Sequence, residues 1–422
     1  MIRLARPLSP PSPLLWAILF GYFATRLTNL GLLPMVSDEG TYVTWGVRAL
    51  FASSIDDWLA SIEDGKQPLL AWLMPPLLAL IEDRLIAGRL VSVGTGLANL
   101  SLLVVLGRRL FGKYAGWVAG ALYVFAPIAL VHDRMALYDS LVATTALLTL
   151  LTAVWWAERP NVRHTVWLGF SLGVALLTKL SAVFFVALVP VAIGLWQWRA
   201  LRHWWLLAQS FFLAAACYSV LYLSPIVDNI QDGNFQRYSL TTGEVLQFPL
   251  ELWLSNARFV AQAATAYLGI PLAVFTAVAA AAVVVYGPRG GRLAVLWAMV
   301  PLIAFVLTAK IIYSRYVVFC FVVALLPASW AIVTLGRGLW RTARQEARLR
   351  PVALLLSALF WCLLCLPGAV FAFRLLTDPP TAPWMDDRRY ITDRFQYVES
   401  NYAGYGLEEI VEYVRERAKN GP

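Results

Sequence analysis

Stretches of close to 20 apolar residues recur along the whole chain, and an α-helix of about that length crosses the roughly 30 Å hydrocarbon core of a bilayer. We read eleven: 14–33, 84–106, 114–131, 140–157, 165–179, 181–197, 204–224, 263–286, 293–309, 316–335 and 351–372. A helix satisfies its own backbone N–H and C=O groups, so it is the element such stretches adopt in lipid. Composition agrees, since 60% of the 422 residues are hydrophobic and only 14% are charged, against roughly 25% charged in soluble domains. A soluble surface cannot be covered with so few polar groups, and disorder is excluded on the same grounds. The expected fold is therefore an all-α polytopic membrane protein with about eleven transmembrane helices. The first stretch is long and lacks a small-residue cleavage site, so it is expected to be a span and not a cleaved signal. The short fifth and sixth stretches predict a tight hairpin about Thr178-Lys179. The apolar segment 68–81 contains Pro75-Pro76 and reads as a helix lying in or dipping into the interface.

Charge sets the expected orientation. The N-terminus and the alternate loops 107–113, 158–164, 198–203, 287–292 and 336–350 hold sixteen Lys and Arg, with only Glu158 and Glu346 as acids. The positive-inside rule makes that side cytoplasmic. The other 23 of the 25 acids fall on the opposite side, so the formal net charge of +9 is an average over two unlike faces. It is a topology signal that suits an anionic cytoplasmic leaflet, and no nucleic-acid partner is expected. Cys217, Cys320, Cys362 and Cys365 all lie in predicted spans with no His or acid nearby, which makes them packing residues and not a metal or disulfide framework. The pairs Gly116/Gly120 and Gly169/Gly173 have the small-xxx-small spacing of closely packed helices.

Polar residues concentrate on the acid-rich side. Its first loop, 34–83, is too long for a simple connector and runs Pro34-Met-Val-Ser37-Asp38-Glu39-Gly-Thr-Tyr42, then Trp45, Ala49, Trp58 and Ile62 at helical intervals. This pattern predicts amphipathic juxtamembrane helices. Ser37 or Asp38 can cap the first, so Asp38 and Glu39 have a structural reading as a cap and dipole partner. They also have a functional one, because carboxylates at a bilayer edge are costly and mark sites. Lys66, one of two cations in this loop among eight acids, is either a snorkelling side chain or a phosphate ligand. In the second loop, His132-Asp133-Arg134-Met-Ala-Leu-Tyr138-Asp139, Asp139 is either an N-cap or a site residue, and His132 is either a packed or interfacial histidine or a ligand. Lys179 lies at the tip between the fifth and sixth stretches, and Lys310-Ile-Ile-Tyr313-Ser-Arg315-Tyr316 opens the tenth.

Isolated cations at span ends (Arg134, Lys179, Lys310, Arg315), all on one side and beside Tyr and Asp, compose a pocket for an anionic headgroup. A carboxylate near fixed cations suits an inverting group transfer: the carboxylate takes a proton from an acceptor hydroxyl, and the cations offset charge on a phosphate leaving group. Nucleotide sugars are cytoplasmic and this side is not, so a sugar linked to a polyprenyl phosphate is the consistent donor.

These residues carry a resemblance. The sequence resembles the GT-C superfamily of membrane glycosyltransferases, and most of all the branch of protein O-mannosyltransferases and lipid A aminoarabinose transferases. The match lies in Asp38-Glu39 after the first span, Lys66-x-Pro68-Leu, Arg134…Leu137-x-Asp139, Gly173…Leu-Leu-Thr178-Lys179 and, more weakly, Arg315-Tyr316, in order over residues 14–335. The resemblance implies a GT-C fold in residues 1–372, including the loop 34–83, and a short external tail at 373–422. It implies a polyprenyl-phosphate-sugar-dependent glycosyltransferase of the plasma (inner) membrane, with Asp38 as catalytic base and Glu39 supporting it. Lys66, Arg315, Lys310 and Arg134 would contact the donor phosphate, and Tyr42, His132, Asp139, Lys179, Tyr313 and Tyr316 would position substrate. Partners would be the donor lipid, membrane lipid and an acceptor protein, lipid or glycan. Some relatives have an acid before the loop lysine and two prolines after it. Here Gly65 and Gln67 stand nearest the lysine, so no metal or other cofactor is assigned. In the tail, Gly404-Tyr405-Gly406 reads as a loop leading into a helix, expected to pack on the first loop. A lipid or sugar transporter, or a non-catalytic membrane subunit, is the alternative; a transporter would place polar residues at mid-span, where this chain is almost wholly apolar.

Overall fold

The computed structural model describes residues 13–230, 236–387 and 389–420. Arg3 and Arg6, counted above among the basic N-terminal residues, lie outside them. Among the described residues there is no strand, and fifteen of the helices suffice to place the site. They are α1 Pro13–Leu27, α2 Ser37–Leu50, α3 Arg84–Phe111, α4 Lys113–Phe125, α5 Pro127–His132, α6 Tyr138–Glu158, α7 Val162–Thr178 and α8 Val183–Gln197. They continue with α9 Trp204–Tyr218, α10 Leu250–Leu268, α11 Ile270–Tyr286, α12 Arg289–Thr308, α13 Val318–Gln345, α14 Arg350–Thr377 and α15 Leu407–Asn420.

Each of the eleven apolar stretches contains helix, but they differ in reach. Among the described residues six helical segments are long and apolar enough to cross a membrane, or seven if a bent pair is counted as one span. The expected third span is split at Ala126, where Pro127 opens α5 without an N–H to continue the ladder of α4. The expected span 263–286 straddles a bend of 117° between α10 and α11, at Gly269 and Pro271. Its first six residues belong to α10, which carries Glu251, Asn256, Arg258 and Gln262. Asn256 donates to the carbonyls of Val306 and Ala309 at 3.0 and 2.9 Å, satisfying groups at the end of α12.

Two helices form the interior. The most apolar windows of α6 and of the α13 segment are 83% and 78% buried inside the protein, whereas that of α14 is 17% buried and faces lipid along Leu355, Leu359, Leu363 and Leu366. Several polar groups inside the bundle are paired: Thr152 with Ser171 at 2.8 Å, Trp156 Nε1 to Thr165 at 3.0 Å, and Trp297 Nε1 to the Ala146 carbonyl at 3.0 Å.

The expected hairpin of α7 and α8 is not the packing found. Instead α7 lies along α9 and α6, and α8 lies against α6 and α12. Small residues explain the choice, because Gly169 and Gly173 let α9 come close. A Cβ on Gly173 would stand 2.5 Å from the Cβ of Cys217. Gly173→Leu is therefore expected to destabilise by about 1–3 kcal/mol through overpacking, read as a lower melting midpoint in detergent. The cysteines are free: Cys320 is buried, and Cys362 is exposed on the lipid-facing helix.

Candidate active site

The first loop folds as expected into surface helices, of which α2 is the longest. Its cap differs from the expectation. Val36 is the N-cap, and the Glu39 carboxylate reaches back to accept from the Val36 N–H at 3.1 Å. Asp38 thus lies in the first turn, its side chain 38% exposed, paired with the Arg315 guanidinium. Farther along, Gly65 ends a 3-10 turn with φ of 65°, a left-handed conformation that suits glycine. The chain is thereby turned so that the Lys66 N–H meets the Ser61 carbonyl at 2.9 Å, and Lys66 lines a cavity.

That cavity is about 500 Å³, and its lining is of two unlike kinds. One is polar, with Lys66, Gln67, Asp139, Lys179, Arg315 and the phenols of Tyr42, Tyr138, Tyr238 and Tyr316. The other is apolar, with Val142, Val183, Phe184, Val245, Phe305 and Ile311. Lys179 Nζ donates to Asp139 at 3.0 Å and stands 4.8 Å from the Tyr316 ring centroid. Lys66 Nζ stands 5.9 Å from the Tyr238 ring and Arg315 5.0 Å from that of Tyr313. The Tyr138 hydroxyl donates to the Gln67 carbonyl at 2.7 Å, fixing the residue after Lys66. Burial, aided by the charges of Lys179 and Arg315, pushes the Lys66 amine down from its ordinary value to about 8. Burial and the neighbouring Asp38 hold the Tyr42 phenol well above its usual range, so it stays a neutral donor.

Several expected site residues lie elsewhere. Glu39 is fully buried and receives both arms of Arg89, at 2.9 and 2.7 Å, and the Ala136 N–H at 2.8 Å. It ties α2 to α3 and to the loop before α6. Arg134 donates to the carbonyls of Thr25, Arg26, Thr28 and Asn29 at 2.8–3.1 Å, closing the C-terminal end of α1. His132 is buried with Nδ1 against the Ile128 carbonyl at 2.8 Å. Lys310 sits away from the cavity wall, paired with Glu244 at 3.2 Å, and Tyr313 packs edge-on to Tyr316 at 5.2 Å. A further buried pair, Arg26 and Asp133 at 3.2 Å, is joined by Tyr123 and Ser140.

Sequence reasoning missed Arg89, Tyr138 and Tyr238. Arg89 had a signal, a lone charge inside an apolar stretch. Tyr238 had none, lying in a connector with no legible pattern. Among the described residues no group of His, Cys, Asp and Glu is arranged to hold a metal ion.

Comparison with known proteins covers different parts of this site. Residues 65–223 match the family model described as dolichyl-phosphate-mannose-protein mannosyltransferase. That range holds Lys66, Asp139 and Lys179, but neither Asp38 nor Arg315. No curated protein matches the chain. The crystal structure of ArnT from Cupriavidus metallidurans bound to undecaprenyl phosphate superposes with a TM-score of 0.57 at 19% identity, over 95% of this chain and 77% of that one. Archaeal oligosaccharyltransferase AglB from Archaeoglobus fulgidus, in complex with an inhibitory peptide and a dolichol-phosphate, gives 0.56 at 12% identity, over 86% of this chain and 56% of that one. The fold is shared along nearly the whole chain.

Proposed function

We propose that this chain, a multi-pass membrane protein with the GT-C glycosyltransferase fold, transfers a monosaccharide from a polyprenyl-phosphate donor to an acceptor hydroxyl on the extracytoplasmic side. The observation that carries the reading is the cavity lining: three neighbouring cations, Lys66, Lys179 and Arg315, share one cavity with apolar side chains such as Val183, Phe184 and Phe305. That arrangement suits a lipid phosphate with its head at the cations and its tail along Val183, Phe184 and Phe305.

In the proposed reaction Asp38 takes the proton of the acceptor hydroxyl. The acceptor oxygen forms a bond to the anomeric carbon as the bond from that carbon to the phosphate oxygen breaks. The electron pair leaves on the phosphate, and attack from the opposite face inverts the anomeric centre. Lys66 and Arg315 offset the charge developing on the phosphate. Asp139 holds Lys179 in place through their ion pair. Glu39 and Arg134 are assigned to support, through Arg89 and the end of α1. The transferase part is residues 1–372 and the tail is 373–422, with α14 running five residues past that boundary to Thr377.

The test is transfer of labelled sugar by the purified protein from a panel of polyprenyl-phosphate sugars, with donor binding scored by thermal stabilisation. Absence of both stabilisation and transfer across the panel would sink the proposal. The Lys66 amine supplies a pH dependence. Facing Lys179, Arg315, Asp38, Asp139 and Tyr238, it is charged below about pH 8 and neutral above. Affinity for a phosphodiester donor, whose own charge is constant here, is therefore expected to weaken as pH rises through 8, by up to about tenfold per pH unit. Lys66→Arg should remove this alkaline limb, which titration calorimetry between pH 6.5 and 9.5 would read.

A further inference from the structure

After α14 the chain returns to the Asp38–Arg315 pair and bonds to the residue before each member. The Ser37 N–H, one residue before Asp38, donates to the Tyr402 carbonyl at 3.0 Å. The Ser314 hydroxyl, one residue before Arg315, donates to the Asp393 carboxylate at 2.5 Å. Asp393 and Ser314 are both buried. Gly404 has φ of +73°, and a Cβ there would stand 2.0 Å from the Met35 carbonyl oxygen. The tail is therefore pressed on Met35 as well as bonded to Ser37. Between the two anchors Tyr397 is buried, 5.9 Å from the Trp384 ring, which in turn packs on Phe371 of α14 at 5.4 Å. A firm base thus connects the tail to the bundle, and two contacts reach forward from it.

We infer that Asp393 and the Tyr402–Gly404 turn are positioning residues that set the geometry of Asp38 against Arg315, making the C-terminal tail a working part of the site. The inference rests on the roles proposed above for Asp38 and Arg315. Its physical basis is leverage: Asp38 stands in the first turn of α2 and Arg315 in the 3-10 turn Ser314–Val317, each next to a tail contact. A misplacement of about 1 Å at reacting groups costs about 100-fold in rate.

The two anchors predict separable defects. Asp393→Ala releases Ser314, and should weaken binding of polyprenyl phosphate about tenfold, the scale of one charge-assisted hydrogen bond. Asp393→Asn keeps an oxygen for the Ser314 hydroxyl and should recover most of that affinity. Gly404→Ala displaces the segment before Asp38, and should lower kcat about 100-fold with donor affinity held within about threefold. Ser314→Ala removes the first bond from its other side with a smaller change, and should reproduce the affinity loss of Asp393→Ala. Hydrogen exchange across 312–318 and 35–40 reports the anchors without any sugar: it should rise at the first segment in Asp393→Ala and at the second in Gly404→Ala. Unchanged exchange and affinity in both Asp393→Ala and Ser314→Ala would overturn the inference, as would an affinity loss equal in Asp393→Asn and Asp393→Ala. If the unaltered protein binds polyprenyl phosphate but transfers no sugar, the transferase reading fails, and the exchange and affinity measurements still decide whether the tail holds these segments.

Discussion

Asp38→Asn is expected to lower kcat for sugar transfer by about 10²–10⁴-fold, the usual contribution of a positioned general base, while donor affinity stays equal or improves. The substitution keeps the size of the side chain and an oxygen that faces Arg315, and removes only the ability to accept a proton. Donor affinity does not suffer, because Arg315 divides its attention. Its guanidinium lines the cavity and pairs with Asp38, and a donor phosphate would compete for the same fork. Weakening the competitor leaves Arg315 to the phosphate. Rate and affinity should therefore move in opposite directions or separately, which single-turnover kinetics and direct binding distinguish. Transfer at the normal rate by Asp38→Asn would remove the base assignment while leaving the fold untouched. An equal loss of rate and affinity would instead place Asp38 among the groups that shape the donor site.

The membrane character, the helical architecture and the side on which polar residues collect were legible because each follows from composition over long windows. A run of about 20 apolar residues admits few solutions in lipid. The candidate site was legible in part for a related reason. Lys66, Asp139, Lys179 and Arg315 are isolated charges at the ends of apolar stretches, and such charges need either a cavity or a partner. The same logic fails to say which of the two each one meets. Arg134 and Glu39 look like Lys66 and Asp38 in sequence, yet one closes the carbonyls of α1 and the other is enclosed with Arg89. The choice depends on how helices far apart in sequence pack. Arg89 reaches Glu39 across 50 residues and Arg26 reaches Asp133 across 107, and no periodicity within either segment encodes such a meeting. The α7–α8 hairpin was misjudged for the opposite reason. A short loop made neighbours in sequence look like neighbours in space, whereas Gly169 and Gly173 face α9.

Glu39→Ala is expected to be the most damaging single change to the fold. The Glu39 carboxylate accepts four hydrogen bonds, two from Arg89 and one each from the N–H groups of Val36 and Ala136. Removing it leaves the Arg89 guanidinium buried without a counter-charge, which in buried pairs costs about 3–5 kcal/mol. The pair itself need not be worth that much, since desolvating two charges offsets most of their attraction. Glu39→Gln combined with Arg89→Met removes both charges, and should recover part of the stability lost in Glu39→Ala. A double-mutant cycle on melting midpoints in detergent reads this coupling. Normal melting of Glu39→Gln together with a lost rate would instead give Glu39 a chemical role. The contrast with Asp38 comes from helix geometry, because successive residues on a 3.6-residue turn point about 100° apart. On α2 that angle aims one carboxylate at Arg315 and the next at the core. The acidic pair at the start of this helix thus divides into one carboxylate paired with Arg315 and one enclosed with Arg89.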